Sequence, residues 1–362
     1  MQKINLLNFT LDEMVQYFES INEKKFRAIQ VFRWIHVYGV IDFNEMTDIA
    51  KSLRIKLLEI AEINVPNIFS ENIALDGVYK WVLEVGHGNK IETVFIPEVD
   101  RGTLCISSQV GCALECQFCS TARQGFNRNL TAGEIVGQLW FANKRLGKDP
   151  KGEKIITNVV MMGMGEPLAN YNSVISAMKI MLDDNAYNLS KKKLTLSTSG
   201  MINNIDKLAY DCPVSLAVSL HASNDEIRDK IIPLNKKYPI KELLEACKRY
   251  VINASKDFVT FEYVMLKNVN DSIENAIELS QIAKDIPCKF NLIPFNPFPN
   301  SGFESSDYTK ILKFQKILQV AGFVVTIRKT RGNDIDAACG QLVGKVIDKT
   351  QRQKKWGIIK SI

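Results

Sequence analysis

The chain has 362 residues, 46% of them hydrophobic and 9% aromatic, which excludes a disordered polymer and allows one large domain with an appendage, or two domains. Eight cysteines occur with no charged-then-apolar leader and no apolar run approaching a membrane span, so a cytoplasmic protein is expected, with thiols serving metals or catalysis rather than disulfides. The net charge is +6, and much of it lies at one end, where six Lys or Arg between Gln341 and Ile362 (Lys345, Lys349, Arg352, Lys354, Lys355, Lys360) face one acid, Asp348. A basic end of this kind suits a polyanion such as RNA, although taken alone it is more often a solvated helix or a disordered end.

Residues 1–65 read as a helical module. Thr10-Leu11-Asp12-Glu13 has the form of a helix start, and Phe18, Phe26, Ile29, Phe32 and Ile35 recur at helical spacing. Lys24, Lys25, Arg27 and Arg33 lie among them with Trp34 and His36, which fits either an RNA-gripping face or a cap on the next domain. Residues 66–100 form a β extension: Tyr79–Val85 and Ile91–Ile96 flank Gly86-His87-Gly88-Asn89 as a hairpin, and a linker is expected near Pro97–Gly102.

From 101 to 345 strands and helices alternate. Strands are expected at 104–108, 155–162, 193–197, 214–219, 258–263, 289–293 and 324–328, and helices at 131–146, 174–183, 240–251, 272–285 and 307–321. Crossover helices imply a parallel sheet, and the number of units falls short of a closed eight-fold barrel. An open, partial (β/α) barrel follows, with chemistry at the C-terminal ends of its strands. Residues 346–362 are left as a basic C-terminal tail.

The first barrel strand leads into Cys112-Ala113-Leu114-Glu115-Cys116-Gln117-Phe118-Cys119. Three thiols so close on one loop can meet at one metal centre, yet a closed zinc site or an ordinary iron–sulfur cluster takes four protein ligands. Three thiolates on a four-iron cluster leave one iron open. Two other readings stand beside this one: a zinc site completed by His36, His87 or His221, and an electron-carrier cluster with Cys105 or Cys339 as fourth ligand. The second strand ends in Gly163-Met164-Gly165-Glu166-Pro167, where glycines admit a ligand to the backbone and a carboxylate can accept from an ammonium group. Ser197-Thr198-Ser199-Gly200, Ser219-Leu220-His221 and Asn296 end later strands and offer polar groups around one opening.

The C-x3-C-x2-C spacing resembles the radical S-adenosylmethionine (SAM) superfamily, and Gly165-Glu166-Pro167 resembles its motif for the methionine amine. The likeness narrows with Ser120-Thr121-Ala122-Arg123-Gln124-Gly125-Phe126-Asn127-Arg128-Asn129-Leu130 and with Arg331-Gly332-Asn333-Asp334-Ile335-Asp336-Ala337-Ala338-Cys339-Gly340-Gln341-Leu342. These stretches resemble the RlmN family, 23S rRNA and tRNA adenine-C2 methyltransferases, from about Phe26 to about Gly344. The resemblance implies a partial (β/α)6-type radical SAM barrel with an N-terminal helical module and a β-hairpin extension. It implies a [4Fe–4S] cluster on Cys112, Cys116 and Cys119, and SAM held by Gly165, Glu166, Ser197, Ser219, Leu220, His221 and Asn296, two molecules per turnover. Cys339 would carry the methyl group, Cys105 would resolve the product through a transient disulfide, and Glu92 would act as base. It further implies 23S rRNA and tRNA as partners, a reducing donor such as a flavodoxin system, no membrane, and a monomer. A sister enzyme of the Cfr type, acting at adenine C8, and a non-enzymatic iron–sulfur or zinc RNA-binding protein are the competing functions.

Overall fold

The computed structural model describes residues 3–147 and 153–356. In the N-terminal module, α1 (Leu11–Ser20), α2 (Lys25–His36) and α3 (Lys51–Ile60) pack together. Thr10 caps α1, and Glu13 returns its carboxylate to the Thr10 N–H at 2.8 Å, the reciprocal pairing its spacing predicted. A short parallel pair, β1 (Ile4–Asn5) with β2 (Ala61–Glu62), joins the two ends of the module; the helical reading of 1–65 had no place for it. Phe18, Phe32 and Ile35 are fully buried, but Phe26 is 48% exposed and carries the Arg27 guanidinium over its ring, so it leaves the predicted apolar stripe.

The module docks on the barrel through α2. Trp140 Nε1 donates to the Ile35 carbonyl at 2.9 Å, and His36 Nδ1 lies 3.2 Å from the Tyr187 hydroxyl in a fully buried contact. Burial holds His36 neutral down to about pH 3, against 6.5 in the open chain. Between those values the unfolded chain binds the extra proton, so stability falls as pH drops and is flat above 6.5. Denaturant titrations should therefore show His36 costing on the order of 2 kcal/mol on going from pH 6.5 to 5. A His36→Gln variant should lack that increment, and an equal pH slope in the two proteins would contradict it.

The sheet begins with an antiparallel set, β3 (Asn67–Ile73), β4 (Tyr79–Glu84) and β5 (Lys90–Glu98), which turns directly into β6 (Arg101–Cys105). Pro97 pairs with Gly102 and Glu98 with Arg101, so the expected linker is a tight turn and the hairpin extension belongs to the barrel's own sheet. After β6 come β7 (Gln109–Gly111), α4 (Ser120–Arg123), β8 (Phe126–Asn129) and α5 (Ala132–Leu146). The chain then alternates β9 (Asn158–Met161), α6 (Tyr171–Leu182), β10 (Leu194–Thr198), α7 (Ile202–Asp211), β11 (Ser215–Ser219), α8 (Asp225–Ile231), α9 (Ile240–Asn253), β12 (Val259–Met265), α10 (Ile273–Ala283), β13 (Cys288–Pro294), α11 (Tyr308–Val320) and β14 (Val324–Ile327). From β6 through β9 to β14 all neighbours are parallel, giving six β/α steps closed by a seventh strand. One strand face, with Leu104, Val159, Leu196, Val218, Phe261 and Phe290, is fully buried. The alternate residues line the barrel interior, and a short C-terminal helix, α12 (Arg352–Lys355), ends the described chain.

Candidate active site

The cysteine loop joins β7 to α4. It is pinned by Cys112 N–H to Gly125 O (2.9 Å), Gln117 N–H to Ile231 O (2.9 Å) and Ser120 N–H to Gly340 O (2.8 Å). Cys112 and Cys116 are buried, and Cys116 Sγ lies 3.8 Å from Ser199 Oγ at the end of β10. Burial, reinforced by the other two thiols, pushes Cys112 far above the usual cysteine range. Three adjacent, desolvated thiols are stable as thiolates only against a cationic centre, so the donor set fits a metal cluster. Among the described residues no three His, Cys, Asp or Glu side chains converge tightly enough for a single ion. A four-iron cube instead spreads its ligands over separate corners.

Above the strand ends a cavity of about 150 Å³ gathers Phe118, Cys119, Gly165, Glu166, Ser197, Ser219, His221, Asn296 and Cys339. Gly165 has φ +101°, and a Cβ there would stand 2.5 Å from Gln109, so only glycine lets this loop close on β7. Glu166 accepts from Ser199 N–H (2.8 Å) and Leu168 N–H (3.1 Å), and burial raises its pKa. His221 sits at φ +57° and accepts from Val264 N–H at Nδ1 (3.0 Å), which places its proton on Nε2. Phe118 packs edge-on against it, ring centroids 4.7 Å apart. Leu220, expected in the pocket, does not line it; its carbonyl accepts from Arg228 Nε at 3.0 Å. Arg228, which the sequence reading missed, also donates to Ser199 O and Ser219 O and so ties two pocket loops together. The Asn296 amide is already engaged, donating to Cys339 O (3.1 Å) and accepting from Thr330 Oγ1 (3.2 Å).

A second cavity, about 480 Å³, fills the barrel interior and shares Met162, Glu262, Ile293, Asn296, Arg328 and Cys339 with the first. Cys105 opens onto it from the end of β6. Cys105 and Cys339, 234 positions apart in the chain, thus reach one chamber, and Cys339 faces both. Burial, with Cys339 adding to it, pushes the Cys105 thiol up to about 12, while the Arg328 guanidinium pulls the other way. Arg328 and Glu262 were not anticipated; their inward position on alternating strand residues is the signal that would have found them. Glu92 lies outside both cavities. Its carboxylate is 3.6 Å from Lys80 Nζ and accepts from Val343 N–H at 3.1 Å, so in this conformation it anchors the Cys339 loop.

The segment read as a basic tail is a strap over the cysteine loop. Arg352 is 8% exposed and donates to Cys112 O (2.8 Å), Leu114 O (2.8 Å), Ala113 O (3.0 Å) and Ala122 O (3.3 Å). Asp348 occupies the space a Cβ at Gly125 would need, and Trp356 stacks on Arg123 with 4.3 Å from guanidinium carbon to ring centroid. Its positive charge is therefore partly spent inside the protein. Residues 357–362, including Lys360, lie outside the described residues.

An open parallel barrel, a three-cysteine loop after its first strand and a ligand cavity at its strand ends define a radical SAM enzyme, whose cofactors are a [4Fe–4S] cluster and SAM. Residues 106–280 match the radical SAM superfamily, and residues 4–63 match the family described as ribosomal RNA large subunit methyltransferase N-terminal domain. The chain is similar to a radical SAM methyltransferase from Sphaerobacter thermophilus whose crystal structure is solved: 41% identity, 94% of this chain and 99% of that one covered, TM-score 0.87. A slighter likeness, 14% identity and TM-score 0.46, is to the FeFe-hydrogenase maturase HydG from Carboxydothermus hydrogenoformans, over 64% of this chain and 55% of that one. The chain belongs to the RlmN family of radical SAM methyltransferases. Among the described residues no helix is long and apolar enough to cross a membrane.

Proposed function

We propose that this enzyme methylates C2 of adenosine in 23S rRNA, at the peptidyl transferase centre, and in the anticodon loop of some tRNAs. The observation that carries the reading is Cys339 standing on the wall between two cavities, with the cysteine loop on one side and Cys105 on the other. Adenine C2 is part of an amidine and is electrophilic, so it cannot attack a sulfonium methyl directly. A thiol that first takes up the methyl group, and then presents it as a carbon radical, answers that problem.

In this reading Cys112, Cys116 and Cys119 hold the cluster, which when bound supplies an electron to cleave SAM and yield a 5′-deoxyadenosyl radical. Gly165, Glu166, Ser197, Ser219, His221 and Asn296 orient SAM, and Leu220 stands behind them, its carbonyl held by Arg228. Cys339 would accept the methyl group, which gives one hydrogen to the 5′-deoxyadenosyl radical and bonds through the resulting methylene to C2; the adduct would then return one electron to the oxidised cluster as its C2 proton leaves. Cys105 then attacks the Cys339 sulfur; the S–C bond breaks toward carbon, which takes up a proton to complete the methyl group on the departing base, and a disulfide remains. Glu92, its pKa raised by burial, takes the C2 proton once Val343 and Lys80 release its carboxylate. A reducing donor such as a flavodoxin system would serve the cluster.

Anaerobic reaction with SAM, reductant and RNA, followed by mass spectrometry of the digested RNA, tests the assignment. The expected product is 2-methyladenosine. 8-Methyladenosine would place the enzyme with the Cfr type instead.

A further inference from the structure

A packed barrel fills its interior with branched aliphatic side chains. Here the bulkiest aliphatics and aromatics of the strands occupy the outer face, and the larger cavity mixes aliphatics such as Val160 and Ile293 with the polar residues Thr103, Asn158, Thr195, Thr260, Asn291 and Thr326. Such a lining solvates a ligand's polar edges, and the cavity volume of about 480 Å³ falls in the range of pockets that enclose small ligands. At one end stand Cys105 and Cys339. At the other stand Arg101, Lys256 and Lys289.

Topology places these three cations together. Arg101 opens β6, Lys289 is the second residue of β13, and Lys256 precedes β12 closely; the strands are parallel, so all lie at their N-terminal ends. Lys192 and Lys193 precede β10 at the same end. Of the five, only Arg101 has an ion-pair partner among the described residues, Glu98. Burial, and then Lys289, Lys192, Lys193 and Arg101, push the Lys256 ammonium below its usual value. Lys289 and Lys256 also flank one ring, with Nζ 5.0 and 5.9 Å from the Phe258 centroid. Five cations that outnumber the acids beside them, Glu98 and Asp257, around an aromatic face make a surface suited to single-stranded nucleic acid.

We propose that RNA enters the barrel from the N-terminal ends of its strands: the target adenosine occupies the polar channel below Cys339, and Lys256, Lys289 and Phe258 grip the nucleotides flanking it. This rests on the RNA-methylating reading above. An acidic electron-carrier protein would also find the cations attractive, but the cysteine loop lies at the opposite ends of the strands, which would put the whole barrel between donor and cluster. The target base must be out of its stack to react, and a channel through the barrel accepts it only in that state.

Fluorescence anisotropy with an adenosine-containing RNA stem-loop, on the reconstituted full-length enzyme, tests the channel mouth. The double variant Lys256→Gln/Lys289→Gln should bind about 10-fold more weakly near 0.1 M salt. Its log–log salt slope should be shallower by about 1.4, because two phosphates of a single strand are no longer neutralised. Iron content and melting temperature establish that the variant is folded. The control pair Lys284→Gln/Lys313→Gln, on the outer helices α10 and α11 or at their ends, should retain full affinity. RNA should also shield Lys256 and Lys289 from acetylation, read by mass spectrometry. Unchanged affinity and slope in the first pair, while the unsubstituted enzyme binds and methylates RNA, overturns the channel and leaves the functional reading standing. So does a defect seen only in reduction by a protein donor. An unsubstituted enzyme that neither binds nor methylates RNA overturns both.

Discussion

Replacing Cys339 with alanine is expected to abolish methyl transfer to RNA while the protein still loads iron. Among the described residues Cys339 is the only cysteine lining both the strand-end cavity and the barrel interior. Cys119 reaches only the first and Cys105 only the second, so neither can carry a group from one to the other. Steps that share one atom fail together, and the loss should fall to the detection limit in single-turnover assays with methyl-labelled SAM. Cys105→Ala should fail later. The methyl group would still load, but the RNA would remain bonded to Cys339 and migrate with the protein on a denaturing gel. Transfer that persists in Cys339→Ala would contradict the carrier role.

Arg352→Ala is expected to cost most of the iron bound on reconstitution, although this residue is far from the cysteines in sequence. One buried guanidinium satisfies carbonyls of Cys112, Ala113, Leu114 and Ala122, the backbone that shapes the cysteine loop. Each buried carbonyl left without a donor costs roughly 1–3 kcal/mol, with water recovering part of it, so the loop loses on the order of 3–5 kcal/mol of local stability. That is enough to favour an open loop. Iron and sulfide analysis and the cluster's electron paramagnetic resonance spectrum would report it. Arg352→Lys should rescue little, because an ammonium cannot present the planar fork that reaches several carbonyls at once. Full iron loading in Arg352→Ala would mean that the strap is dispensable.

The barrel was legible because its strands and crossover helices alternate; seven parallel strands and five of the crossover helices follow from that pattern, and the resemblance supplied the six-fold count. The helix Ile202–Asp211 was not, since Asn203, Asn204 and Asp206 have weak helix propensity and Met201 gives no side-chain cap. The turn at Pro97–Gly102 looked like a linker because Pro and Gly mark both, and only the pairing of β5 with β6 separates the two. The cysteine loop and the strand-end motifs could be read from spacing and resemblance. What could not be read was how the far end of the chain is used. A basic run that looks solvent-facing in sequence buries Arg352, and the two arginines that organise the pocket, Arg228 and Arg328, carry no motif of their own. The role of Arg228 arises from which carbonyls the fold sets beside it, a tertiary fact with no local signature, whereas Arg328 shows only as an inward position in the alternation of its strand.

The central claim is that the methyl group travels to RNA through Cys339 and loses a hydrogen on the way. The RNA digests that locate the methyl group can decide this if the reaction is run with SAM carrying a fully deuterated methyl group. The mechanism predicts a product methyl retaining two of its three deuterium atoms, with the third found in 5′-deoxyadenosine. A methyl group that reaches RNA with all its deuterium, and 5′-deoxyadenosine that carries none, would contradict it.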